Sequence, residues 1–135
     1  MFVLDTNVLS EIRKGRSNKL VLDWIRNRDP DSLYTTSINI FEIQLGISRV
    51  PRHDGHQTDV LTTWLEKVLV EFRRRILPFD HVAAIEAAKV HAGTNIEHRD
   101  CMIGAIANLH RMPVVTRNAK HLVRVANRVI NPWDG

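Results

Sequence analysis

Two spacings of apolar residues alternate along the chain. Short runs of β-favouring residues fall at 2–4, 33–36, 76–79, 114–116 and 129–130. Each is too short for a helix and reads as a buried strand. Between them apolar residues recur at helical spacing, first Val8, Leu9 and Ile12, then Leu20, Val21, Trp24 and Ile25, then Ile38, Phe41 and Leu45. The strongest stripe is Leu61, Trp64, Leu65, Val68 and Leu69, followed by the stretch 83–90 and by Met102, Ile103, Ile106 and Leu109. Strands that alternate with helices predict an α/β fold, in which a mostly parallel sheet of roughly five strands is covered on both faces.

The interruptions at 51–55 and 93–95 are loop-sized, and no repeat or low-complexity tract is present, so residues 1–135 are expected to form one domain. A composition of 44% hydrophobic and 25% charged residues fits an ordinary globular domain and excludes a disordered or collagen-like chain. A single cysteine, Cys101, precludes an intrachain disulfide. No apolar run approaches the ~20 residues of a membrane span, and Asp5, with no basic residue before it, breaks a secretory signal, so a cytoplasmic protein is expected.

The net charge of +4 is unevenly distributed. Residues 1–97 balance thirteen basic against thirteen acidic side chains, whereas 98–128 set Arg99, Arg111, Arg117, Lys120, Arg124 and Arg128 against Asp100 alone. This stretch suits an anionic partner such as nucleic acid, the alternative being a solvated face.

Ligands of an open parallel sheet bind beyond the carboxyl ends of its strands. Asp5 ends the first strand there, Glu42 lies in the first turns of the helix after Thr35-Thr36-Ser37, and Asp100 begins the helix that leads into the fourth strand. Asn118 follows that strand. Three carboxylates at one edge repel each other, and the usual resolutions are raised pKa values or a bound divalent cation. An all-oxygen donor set selects hard ions, Mg²⁺ or Mn²⁺, which assist phosphodiester hydrolysis. Taken singly, each acid has a structural alternative. Asp5 can cap the first helix, Asn39-Ile40-Phe41-Glu42 has the spacing of a capping box, and Asp100 suits the positive end of a helix dipole. Convergence from three distant segments favours a shared site.

The segments Val3-Leu4-Asp5-Thr6-Asn7-Val8-Leu9-Ser10-Glu11, Ile40-Phe41-Glu42-Ile43-Gln44-Leu45-Gly46, Arg99-Asp100-Cys101-Met102-Ile103-Gly104-Ala105-Ile106-Ala107, Val115-Thr116-Arg117-Asn118 and Asn131-Pro132-Trp133 together resemble the PIN-domain family. The resemblance runs the length of the chain in order and is strongest to the VapC-type toxins of bacterial toxin–antitoxin pairs. It implies a three-layer α/β/α fold and a Mg²⁺- or Mn²⁺-dependent endoribonuclease that leaves 5′-phosphate and 3′-hydroxyl ends. Asp5, Glu42 and Asp100 fall on the family's acidic metal-site positions. Asn118 falls where some members carry a fourth acid, and His121-Leu122 stands where many have Asp-Phe. The implied partners are RNA as substrate, a cognate VapB-type antitoxin and a second copy of the chain, with DNA reached only through the antitoxin.

Thr6 and Ser37 are candidate supports for the acids, and Arg99 and Arg117, which flank Asp100 and Asn118, are candidate RNA contacts. His53 and His56 lie in a loop without cysteine partners and are not read as a zinc site. Asp80 reads as a helix cap, and Trp24, Trp64 and Trp133 as core anchors. Two rival readings are a receiver-like signalling module using Asp5, Asp80, Thr116 and Lys120, and a catalytically silent nucleic-acid-binding subunit. The first leaves Glu42 and Asp100 without a role; the second leaves the acids unused.

Overall fold

A computed structural model describes all of residues 1–135. Strands β1 (Phe2–Leu4), β2 (Leu33–Thr36), β3 (Ile76–Leu77), β4 (Val114–Val115) and β5 (Val129–Ile130) form one sheet in the order β3-β2-β1-β4-β5, with every pairing parallel. The helices are α1 (Thr6–Arg13), α2 (Lys19–Arg26), α3 (Ser37–Ser48), α4 (Gly55–Glu71), α5 (His81–Ala92), α6 (His98–Leu109) and α7 (Ala119–Leu122). The expected five-stranded parallel sheet is present, and β1 is its centre.

Successive residues of a strand point to opposite faces, and the core divides accordingly. Val3 and Val114 join Ile103, Ile106, Ala107 and Leu122 on the face covered by α5, α6 and α7. Their neighbours Leu4 and Val115 join Val8, Val21, Ile43 and Val68 on the face covered by α1 to α4. Trp24, Trp64 and Trp133 are half-buried against this second cluster, in agreement with their reading as anchors. Strands buried on both faces must be apolar throughout, which is why Val3-Leu4 and Val114-Val115 carry no polar alternation.

Element ends differ from the sequence pattern in places. The third strand stops at Leu77, before Pro78, which has no N–H to give to a ladder. The fourth stops at Val115, and the next residue, Thr116, turns its hydroxyl into the sheet edge. The short α7 and a 3₁₀ turn at Pro30–Ser32 are additional; both are shorter than the window in which helical periodicity is readable. The Arg73-Arg74-Arg75 run follows α4, where Arg75 donates to the carbonyls of Pro30, Leu33 and Glu71 and ties the helix end to β2.

The order β3-β2-β1 on one side and β4-β5 on the other makes the gap between β1 and β4 the switch point of the sheet. Crevices at such points lie outside the carboxyl ends of the strands. Helix α6 closes against the chain after α7 so tightly that a Cβ on Gly104 would lie 2.9 Å from the Val125 carbonyl oxygen and 3.0 Å from its Cγ2. Gly104→Ala is therefore expected to destabilise the fold by about 1–3 kcal/mol, the usual cost of overpacking. Urea unfolding of the two proteins checks this; equal midpoints would mean that the Val125 segment yields freely.

Candidate active site

Asp5 leaves β1 with its backbone N–H still in the sheet, bonded to Val115 O at 2.9 Å, and serves as the N-cap of α1. The residue is only 6% exposed. Burial of a charge that shallowly hydrated demands donors, and three elements supply them. Oδ1 accepts from the Thr6 backbone N–H at 2.8 Å and from Asn39 Nδ2 at 3.0 Å. Oδ2 accepts from Thr116 Oγ1 at 2.7 Å and, at 3.5 Å, from Asn7 Nδ2. The cap reading of Asp5 and its place at the strand edge are thus both correct.

Glu42 sits well inside α3. The capping box at this helix start is formed by Thr36 and Asn39, with Asn39 N–H donating to Thr36 Oγ1 at 3.2 Å and Thr36 N–H to Asn39 Oδ1 at 3.2 Å. The box proposed from Asn39 to Glu42 does not exist, because the helix begins at Ser37, three residues earlier than that spacing required. Glu42 is consequently free of capping and receives the Thr6 hydroxyl on Oε1 at 2.8 Å. Its other oxygen lies 3.9 Å from Arg99 Nε. Burial first, and then the charges of Asp5 and Asp100, push the Glu42 carboxyl above the ordinary range against the pull of Thr6 and Arg99.

Asp100 stands in the first turn of α6, where Glu97 is the N-cap. Burial is the main cause that raises its pKa to about 6, followed by the Asp5 and Glu97 charges, while His121 and Arg99 oppose the shift. Asp5 thus acts electrostatically on both other acids, and the three form one coupled group beyond β1 and β4.

A match to the PIN domain spans residues 2–128. Toxin FitB of Neisseria gonorrhoeae is 36% identical over 98% of this chain and 99% of its own. The VapC ribonuclease Y4jK of Sinorhizobium fredii is 34% identical, covering 99% of each. Among solved structures, that of FitAcB from Neisseria gonorrhoeae superposes with a TM-score of 0.87 at 32% identity, covering 98% of this chain and 99% of that one. This chain belongs to the PIN-domain family.

In this PIN domain the sequence-selected residues separate clearly. Thr6 links Asp5 and Glu42, and Asp100 is near enough for the Asp5 charge to act on it. Ser37 does not join them; its hydroxyl accepts from Phe79 N–H at 2.9 Å and ties α3 to the loop after β3. Asn118 borders the edge, its backbone N–H on Thr116 Oγ1 at 2.9 Å and its amide 3.3 Å from His121 Nδ1. Arg99 is shared between Glu97 Oε1 at 3.4 Å and Glu42. Arg117 lays its guanidinium over the Trp133 ring, 5.3 Å from the centroid, and its N–H donates to Asn7 Oδ1. Asp80 accepts from Ala83 N–H at 2.9 Å as the cap of α5, as its spacing predicts. No helix is long and apolar enough to cross a membrane.

Two site residues, Asn39 and Thr116, were not selected as supports of the acids. Both are fully buried and both bond Asp5. A polar residue inside an otherwise apolar run was the available signal for each. As the side chains stand, no three His, Cys, Asp or Glu residues converge closely enough to enclose an ion. The donor set nonetheless fits Mg²⁺, which is held through one or two carboxylates and keeps its remaining positions for water and substrate rather than filling a protein cage.

The raised Asp100 pKa has a consequence for stability. Between its ordinary value of 3.8 and about 6 the folded protein retains a proton that the unfolded chain has lost, so stability falls as pH rises through that window. The cost is complete above about 6. Asp100→Asn is therefore expected to melt higher than the parent at pH 7.5, with the difference shrinking towards pH 4. Thermal melts across that range check it; a constant difference would refute the coupling.

Proposed function

We propose that this PIN domain is a Mg²⁺- or Mn²⁺-dependent endoribonuclease acting as the toxin of a toxin–antitoxin pair. The observation that carries the reading is the coupled group of Asp5, Glu42 and Asp100 at the switch point, in a chain similar end to end to a toxin and a VapC ribonuclease. The same reading assigns RNA as substrate, a VapB-type protein antitoxin and a second copy of the chain as partners, contact with DNA only through the antitoxin, and a cytoplasmic location.

Asp5, Glu42 and Asp100 would hold the ion, and the all-oxygen set selects a hard divalent cation. A bound divalent ion supplies water activation and charge neutralisation at a phosphodiester. Asp5 is the fixed member, with both carboxylate oxygens already oriented by donors. Glu42 and Asp100 are held above the ordinary carboxylate range by burial and by neighbouring negative charge, a cost that a divalent cation would relieve. Asn118 borders the edge where a fourth acid would stand.

The test is cleavage of RNA by the purified chain, with 5′ ends mapped. Asp5→Asn and Asp100→Asn are each expected to fall below about one hundredth of parental activity, since loss of outer-sphere partners alone costs 10–100-fold. Chelation should abolish cleavage, and Mg²⁺ or Mn²⁺ should restore it. Because Asp100→Asn is expected to melt higher than the parent at neutral pH, a melt on the same sample separates inactivity from unfolding. Full cleavage by either folded variant would remove that residue from the site.

Substrate binding should also weaken steeply with salt, since each phosphate contact releases counterions. Arg117→Gln, measured with Ca²⁺ in place of Mg²⁺, is expected to reduce the slope of log K against log salt by about one. Arg99→Gln should change it less, because Glu42 and Glu97 already engage that guanidinium. Unchanged slopes in both would leave the basic stretch a solvated face.

A further inference from the structure

Asn39 is fully buried at the third position of α3, and all of its side-chain hydrogen-bonding capacity is committed. Its Oδ1 accepts from Thr36 Oγ1 at 2.6 Å and from Thr36 N–H at 3.2 Å. With two donors on the oxygen, the amide orientation follows from the network, and the NH₂ group faces the acids. One of its hydrogens goes to Asp5 Oδ1 at 3.0 Å and the other to Thr6 Oγ1 at 3.1 Å. Because Thr6 Oγ1 accepts from Asn39, its own hydrogen is available for Glu42 Oε1, at 2.8 Å. The Asn39 amide therefore reaches the Asp5 carboxylate directly and the Glu42 carboxylate through the Thr6 hydroxyl.

Helix capping needs far less than this. A serine or aspartate at position 39 could accept from the Thr36 backbone, but neither has two N–H donors beside an acceptor. Only a side-chain amide offers them, and glutamine is one carbon longer. The second half of the Asn39 side chain thus serves the acids rather than the helix.

We propose that Asn39 is a positioning residue: its amide holds the Asp5 carboxylate directly, and the Glu42 carboxylate through Thr6, in one fixed relation that suits a divalent cation. This rests on the reading of Asp5 and Glu42 as ligands. Asn39 itself touches no substrate. Its effect is to make two acids from segments 37 residues apart behave as one rigid pair, so that little ordering of side chains remains when the ion binds.

The test is a Mn²⁺ titration of the full chain, read by the paramagnetic resonance of the free ion, with melting temperature and RNA cleavage measured on the same samples. Asn39→Ala removes both donors; Asn39→Ser keeps a small polar group and serves if the first variant folds poorly. Folded variants are expected to bind Mn²⁺ about 10–100-fold more weakly, as for other outer-sphere partners. Cleavage should fall at limiting Mn²⁺ and recover at high Mn²⁺, with KM for RNA unchanged. Affinity within twofold of the parent in a folded Asn39 variant would overturn the proposal. So would a weakening that merely follows loss of folded protein in both variants, which would leave Asn39 a helix cap. Asp5→Asn run alongside separates the two ideas. If it binds Mn²⁺ as the parent does, the ligand reading fails and the positioning role falls with it; if it alone loses binding, only the positioning role fails.

Discussion

Asp5 is a carboxylate kept almost out of water at the centre of the sheet edge, and much of the architecture can be understood as the supply of donors to it. An unpaired buried charge would cost several kcal/mol, enough to consume a large part of a small domain's stability. Here α1 contributes the Thr6 N–H, α3 the Asn39 amide, and the end of β4 the Thr116 hydroxyl. No buried side-chain nitrogen or oxygen in the chain lacks a partner. Each donor comes from a different part of the sequence, so the hydrogen-bonding requirement of one side chain fixes the mutual placement of a strand, two helices and a loop. Thr116 carries an additional load, since it also receives Asn7 and the Asn118 N–H.

The sheet makes this possible by being dry on both faces. Val3 and Leu4 point to opposite clusters, as do Val114 and Val115, so the two central strands cannot slip by one residue without exchanging the two cores. Their parallel pairing sets Leu4 opposite Val115, and Asp5 and Thr116 then emerge side by side as the next residues. The position of the site is therefore an outcome of apolar packing beneath it. Chemistry at the edge and hydrophobic burial below are two consequences of the same register.

This division explains what could be read from the chain. The strands are legible as short apolar runs, because burial on both faces leaves no polar alternation, and six of the helices because burial of one face imposes a period of 3.6. The acids were legible because the strand-end rule assigns them to a common edge from sequence order alone. Ser37 was misplaced for a definite reason: a residue at the first turn of a helix can turn towards either the site or the neighbouring loop, and the need of the Phe79 N–H for an acceptor decides it. The capping box was assigned to Asn39 and Glu42 because S/T/N-x-x-E spacing does not say which turn comes first, and Thr36 satisfied the helix start earlier. Local spacing offers Asn39 only as a cap, and Thr116 only as a strand end or a receiver-type residue. Their contacts with Asp5 cross 34 and 111 residues, and no local pattern encodes a pairing of that span.

The three acids are held with graded firmness, and the gradation bears on how the site works. Asp5 has donors on both oxygens. Glu42 has one firm donor and a distant guanidinium. Asp100 makes no side-chain hydrogen bond and is the acid whose charge is most disfavoured, at about 6. Like charges gain by standing apart, and the members with fewer donors are the ones able to do so. Preorganising all three would cost more stability than the fold could readily offset, since the repulsion would have to be borne permanently. Fixing one acid, tethering a second through Thr6 and leaving the third loose confines the repulsion to the side chains best able to yield. If the three acids are the ligands proposed above, the rigid half would set where a cation is bound, and the less restrained half would complete the site as positive charge makes its approach favourable.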